Sequence, residues 1–153
     1  MADLKATLQS DLTEAIRSRD ELTAATLRMA LAAITTEEVS GKAARVLTDA
    51  EVVTVLNREA KKRREASAAY ADAGRLELAQ RESAELAVLG RYLPEPMSEV
   101  EVTALVQKAV AEAAAAGVTG KPAMGRVMKE LSAATAGRFD GGRLAGMVRS
   151  ALG

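Results

Sequence analysis

The stretch "YLPEPMSEVE", residues 92–101, decides how this chain is divided. Pro94 and Pro96 each lack a backbone donor and push the preceding residue out of helical space, so an arriving helix must stop. Ser98 and Glu101 then form a capping box. The serine oxygen can accept from the amide three residues on, while the glutamate reaches back to the serine amide. A helix ending and another beginning across two prolines predict a boundary between helical domains spanning 1–94 and 98–153.

Working outward toward the N-terminus, Leu4, Leu8, Leu12 and Ile16 recur every four residues and predict a helix over 3–18. A second helix, over 20–39, carries Leu22, Ala25, Met29 and Ala33 on one face. Leu27, Leu31 and Ile34 make a second stripe, which predicts a central helix contacted from more than one side. "SGK" at 40–42 ends it. "TDAE", residues 48–51, is another capping box, opening a long helix through Val52, Leu56 and Ala60 to the neighbourhood of Ala73. Gly74 stands where a left-handed cap is wanted. A returning helix with Ala79, Leu86, Leu89 and Leu93 on one face makes an antiparallel hairpin, because its connection is so short.

Beyond the prolines, Val102, Leu105, Val106, Ala109 and Ala113 share a face of a helix that stops at Gly117. Pro122 suits the first turn of the next helix, where its missing N–H costs nothing. Met124, Val127, Met128 and Leu131 line that helix, and Leu144, Met147, Val148 and Ala151 line the last one. β-Branched residues never alternate with polar ones over a useful length. The expected fold is all-α: a four-helix N-terminal domain followed by a small three-helix C-terminal domain.

The composition narrows the chemistry. The 153 residues carry 21 basic and 21 acidic side chains, so no global field draws the chain to nucleic acid or membrane. Cysteine and histidine are both absent, which removes disulfides, thiolate metal sites and the usual catalytic triads. No metal site and no cofactor are expected. Phe139, Tyr70 and Tyr92 are the only aromatic residues, too few for a base-stacking platform. The start "MADLKATLQS" lacks the apolar core of a signal peptide. No charge-free run exceeds eight residues, so neither a membrane span nor a membrane partner is expected, and the cytoplasm is the expected compartment.

Glu37 and Glu38 are adjacent, point to different sides of a helix and make no working dyad. "GVTGKP" lacks the Walker spacing: Ala115 stands where the first glycine belongs, and Pro122 follows Lys121. With nothing placed to activate a lone lysine or serine, catalysis by the chain alone is not expected.

The most basic window, "NREAKKRREASAAY", holds Arg58, Lys61, Lys62, Arg63 and Arg64. Those five cations could grip a phosphate backbone. The returning helix brings Glu77, Glu82 and Glu85 alongside, however, and solvated ion pairs along the hairpin are the favoured reading.

In "MGRVMKELSAATAGRFDGGRLAG", residues 124–146, glycines and cations interrupt helical spacing. Gly137 follows a helix and can adopt positive φ. Asp140 precedes the next helix and can cap Gly142 or Arg143. Because Asp140 already places negative charge at that helix start, an anion site must rest on side chains: Arg126 and Lys129, three apart, with Arg138. Gly125 lies inside a helix, where glycine costs stability. It either admits a neighbouring helix or clears room for a ligand, and close packing is the favoured reading.

"GKPAMGRVMKEL" and "AGRFDGGRL", together with "LRMALAAI" and the segment running from "REAKKRREASAAY" into "YLPEPMSEVE", resemble the YqeY-like proteins and the C-terminal tail of the GatB subunit of tRNA-dependent amidotransferases. The resemblance covers nearly the whole chain. It makes Gly125, Val127, Met128, Lys129, Gly137, Arg138 and Asp140 the motif positions, with Phe139 replacing the small residue usual in that loop. It implies a helical module that contacts tRNA, while transamidation chemistry belongs to regions this chain does not resemble.

The leading expectation is therefore a non-catalytic module binding tRNA, or a tRNA-charging assembly such as an amidotransferase or synthetase, through Arg126, Lys129, Arg138 and Arg143. A protein–protein adaptor is the second. An accessory of a carbon–nitrogen ligase with glutamine as amido donor is the third.

Overall fold

The computed structural model describes residues 3–153. Among them there are seven helices and no strand: α1 (Leu4–Arg17), α2 (Glu21–Glu38), α3 (Asp49–Asp72), α4 (Leu76–Gly90), α5 (Glu99–Ala115), α6 (Lys121–Ala134) and α7 (Gly141–Leu152). The chain forms two compact units, Met1–Leu93 and Pro94–Gly153.

In the first unit α2 packs against α1, α3 and α4, as a central helix should. The core is built from Leu8, Leu27, Ala30, Ile34, Val52, Leu56, Val88 and Leu89, all close to fully buried. The α2 stripes need one correction. Its buried face runs through Thr23, Leu27, Ala30 and Ile34, whereas Met29 is 49% exposed. Thr23 and Thr26 can sit in this face because their hydroxyls bond locally, Thr26 Oγ1 donating to the Leu22 carbonyl (2.8 Å). Tyr92 reaches back across the unit to donate to Asp11 Oδ2 (2.6 Å). Burial first, and then this bond, push its hydroxyl pKa up to about 12.

The turns follow their local chemistry. Both capping boxes form, Thr48 with Glu51 and Ser98 with Glu101. Gly74 takes φ +75°, and the turn after α3 closes with Arg75 N–H on the Tyr70 carbonyl (2.8 Å) and Gly74 N–H on the Ala71 carbonyl (3.0 Å). Gly117 repeats the arrangement after α5 at φ +77°. This paired closure satisfies two carbonyls that the helix end leaves unmatched.

In the second unit α5, α6 and α7 pack on one another around Val102, Val106, Val127, Leu131, Leu144 and Val148. Arg138 ties the start of this unit to the α6–α7 loop. Its carbonyl accepts from Met97 N–H, and its Nε donates to the Glu95 carbonyl, both at 2.9 Å.

The basic run on α3 also needs correcting. Arg63 is buried and does not belong to an exposed patch. Positions 52, 55, 56, 59, 60 and 63 continue one buried stripe of α3, so the register that buries Val52 and Leu56 turns Arg63 inward. There it faces the equally buried Glu85 at 3.4 Å, donates to the Glu59 carbonyl (3.0 Å) and touches the Met29 sulfur (3.5 Å). This pair is a desolvated contact and not one of the solvated pairs the sequence favoured.

Candidate nucleic-acid interface

The cations fall into two classes. On α3, Arg58 pairs with Glu37 of α2 (2.9 Å) and Lys62 with Glu59 (3.1 Å), while Arg63 is enclosed. Lys61 and Arg64 are exposed on the same helix. Glu85 receives Arg81 of its own helix (3.2 Å) as well as Arg63.

On α6 the pattern reverses. Ala123, Val127 and Leu131 face the core, with Met124 and Met128 beside them, which turns positions 121, 125, 126 and 129 to solvent. Arg126 and Lys129 are exposed, and so is Lys121, which sequence reasoning did not single out although it precedes Gly125 by one helical turn. None of these three cations forms an ion pair or side-chain hydrogen bond with another described residue.

Gly125 lies between Lys121 and Lys129, four residues from each, on one line along the helix. It is exposed, and a Cβ built there would meet no atom within 4 Å apart from its chain neighbours and the backbone of its own helix. The close-packing explanation for this glycine is therefore wrong. No other helix among the described residues comes within 4 Å of that Cβ position, and the lack of a side chain leaves a notch of accessible backbone among three cations. Val127 and Met128 of the motif belong to the core side of the helix.

The α6–α7 loop holds the remaining candidates in fixed positions. Gly137 has φ +73°, and the turn closes with Arg138 N–H on the Thr135 carbonyl (2.9 Å). Asp140 caps α7 by accepting from Arg143 N–H (2.9 Å). Arg143 Nη2 pairs with Glu99 of α5 (2.7 Å), and its guanidinium lies 5.1 Å from the centre of the Phe139 ring. Arg138 and Arg143 thus stitch the unit together, whereas Lys121, Arg126 and Lys129 project from it. Residues 98–153 carry seven basic and five acidic side chains, a net +2.

Arginines 138 and 143 were legible as basic residues near a turn. Their engagement with Glu95 and Glu99 joins positions 43 and 44 residues apart, which no local pattern reports.

Among the described residues the chain is all helical, and α6 carries a solvent-facing cationic stripe. A family model for Yqey-like proteins matches residues 5–152, and the chain belongs to that family. An uncharacterized protein of Schizosaccharomyces pombe is 34% identical over 98 residues, which span 64% of this chain and 78% of that protein. Among the described residues no helix is long and apolar enough to cross a membrane.

Proposed function

We propose that this chain is a non-catalytic helical module that binds tRNA, alone or within a tRNA-charging assembly, through α6 of its second unit. In this reading the two units are separate domains of four and three helices. The observation that carries the reading is the α6 stripe: Lys121, Arg126 and Lys129 with no side-chain partner among the described residues, around a glycine that lets a phosphate backbone come close. Cations of this kind gain affinity by displacing the counterions condensed on nucleic acid. Arg138 and Arg143 contribute by holding the loop beside the stripe. The resemblance of the α6–α7 segment to an amidotransferase tail selects tRNA among the nucleic acids.

The test is a gel-shift titration of tRNA at several salt concentrations. Arg126→Ala combined with Lys129→Ala should weaken binding about tenfold at low salt and reduce the salt slope by about 1–2. Unchanged affinity and slope refute the reading. Loss of a protein partner with tRNA binding unaffected would favour the adaptor instead.

A further inference from the structure

The left-handed position after a helix is filled by glycine after α3 and α5. After α1 it is filled by Arg19, with φ +60°, the one non-glycine residue of positive φ among those described. The turn is otherwise the same, with Asp20 N–H on the Ala15 carbonyl (2.9 Å) and Arg19 N–H on the Ile16 carbonyl (3.2 Å). Glycine would serve this turn better, because only glycine avoids the clash of Cβ with the backbone there. The arginine is held against a backbone preference, which directs attention to its side chain.

That side chain lines a groove of about 500 Å³ formed by the end of α1, the start of α2 and Arg81 of α4. Ala15, Ile16, Ala24 and Ala25 supply its apolar part, and Arg19, Arg28 and Arg81 supply its cations. Arg19 and Arg28 have no side-chain partner among the described residues, and Arg81 keeps a half-exposed guanidinium on Glu85. Exposed apolar side chains stand in the groove and on the same helices. Ile16 is half exposed, Met29 lies one turn along α2 from Ala25, and Leu78 stands three residues before Arg81 on α4. The acids at the edge are Glu21 and Asp20. The Asp20 carboxylate is committed to Thr23, accepting from its amide (3.1 Å) and its hydroxyl (2.7 Å).

We propose that this groove docks an amphipathic helix of a partner protein whose polar face is acidic. The apolar part takes the partner's aliphatic side chains, and the planar forks of Arg19 and Arg28 take its carboxylates in paired hydrogen bonds. Arginine beside a desolvated apolar centre is the composition of energetically dominant interface positions. A nucleic-acid backbone fits less well, since it has no use for the alanine and isoleucine surface. The surface lies on the first unit and stands independently of the tRNA reading.

The experiment uses the full chain and a labelled synthetic peptide of about 18 residues, with leucine on one helical face and glutamate on the other. Anisotropy should report saturable binding, and the counterpart with lysine for glutamate should not bind. Arg19→Gly should raise the melting temperature by relieving the backbone, yet weaken the peptide about fivefold. That opposite movement separates lost contact from lost fold. Ala25→Glu should abolish binding. Equal binding of the lysine peptide, no binding of the glutamate peptide, or unchanged affinity in both variants overturns the proposal. So does a result in which Arg19→Gly weakens tRNA while leaving the peptide untouched.

Discussion

The basic segments of α3 and α6 differ in a way that counting residues does not convey. Residues 58–64 hold five cations, yet Arg58 and Lys62 are paired and Arg63 is enclosed. Residues 121–129 hold three, and all three are exposed. The difference arises from what lies on the opposite helix. α4 returns along α3 and presents Glu85, and α2 presents Glu37, so the run on α3 is largely neutralised within the fold. The charge available to a ligand is what remains after internal pairing, and by that measure the segment with fewer cations exceeds the one with more.

The largest expected effect tests the enclosed end of this contrast. Arg63→Ala should destabilise the protein by about 3 kcal/mol in urea unfolding, because it leaves the buried Glu85 carboxylate with Arg81 alone and removes the donor to the Glu59 carbonyl. A loss below about 0.5 kcal/mol, the range of exposed substitutions, would return Arg63 to the surface and erase the distinction. Next come the glycines. Gly137→Ala should cost about 1 kcal/mol, since its φ of +73° is unfavourable for any residue with a Cβ. Gly125→Ala should instead gain about 0.5–1 kcal/mol, because the position is helical, exposed and unobstructed. If thermal unfolding shows Gly125→Ala to be destabilising, something does pack on that face and the open notch is lost.

The smallest effect concerns the first unit's habit of satisfying its polar groups internally. Tyr92 has a folded-state pKa of about 12 against an ordinary 10.0. A value raised by folding means that this contribution is complete below about pH 10 and disappears as pH rises toward 12. Urea midpoints measured across that interval should fall for the wild type and fall less for Tyr92→Phe. Parallel curves would show that the bond to Asp11 does not distinguish folded from unfolded protein.

Much of the fold was readable because its signals are local. The Ser98–Glu101 and Thr48–Glu51 pairs act within one turn, and Gly74, Gly117 and Gly137 meet a backbone requirement at their own positions. The register of α6 carried the exposure of Gly125 as well, since position 125 falls outside the stripe of Met124, Val127, Met128 and Leu131. Arg63 was harder. Helical spacing from Val52 and Leu56 turns it inward, but its charge argues for solvent, and only the arrival of Glu85 from α4 resolves the conflict. The Tyr92–Asp11 bond spans 81 positions and leaves no trace in either neighbourhood. The candidate site was legible to the same extent: Arg126 and Lys129 follow from spacing on one helix, whereas the engagement of Arg138 and Arg143 depends on tertiary neighbours.

The double hold of Arg138 on Glu95 and Met97 bears on where the polypeptide can be cut. A fragment starting at Ser98 retains every helix of the C-terminal half but discards both of the groups that Arg138 fastens. One starting at Pro94 keeps four more residues and with them a clasp on the loop that carries Phe139 and Asp140. Anyone dissecting the molecule should place the scissors ahead of the prolines.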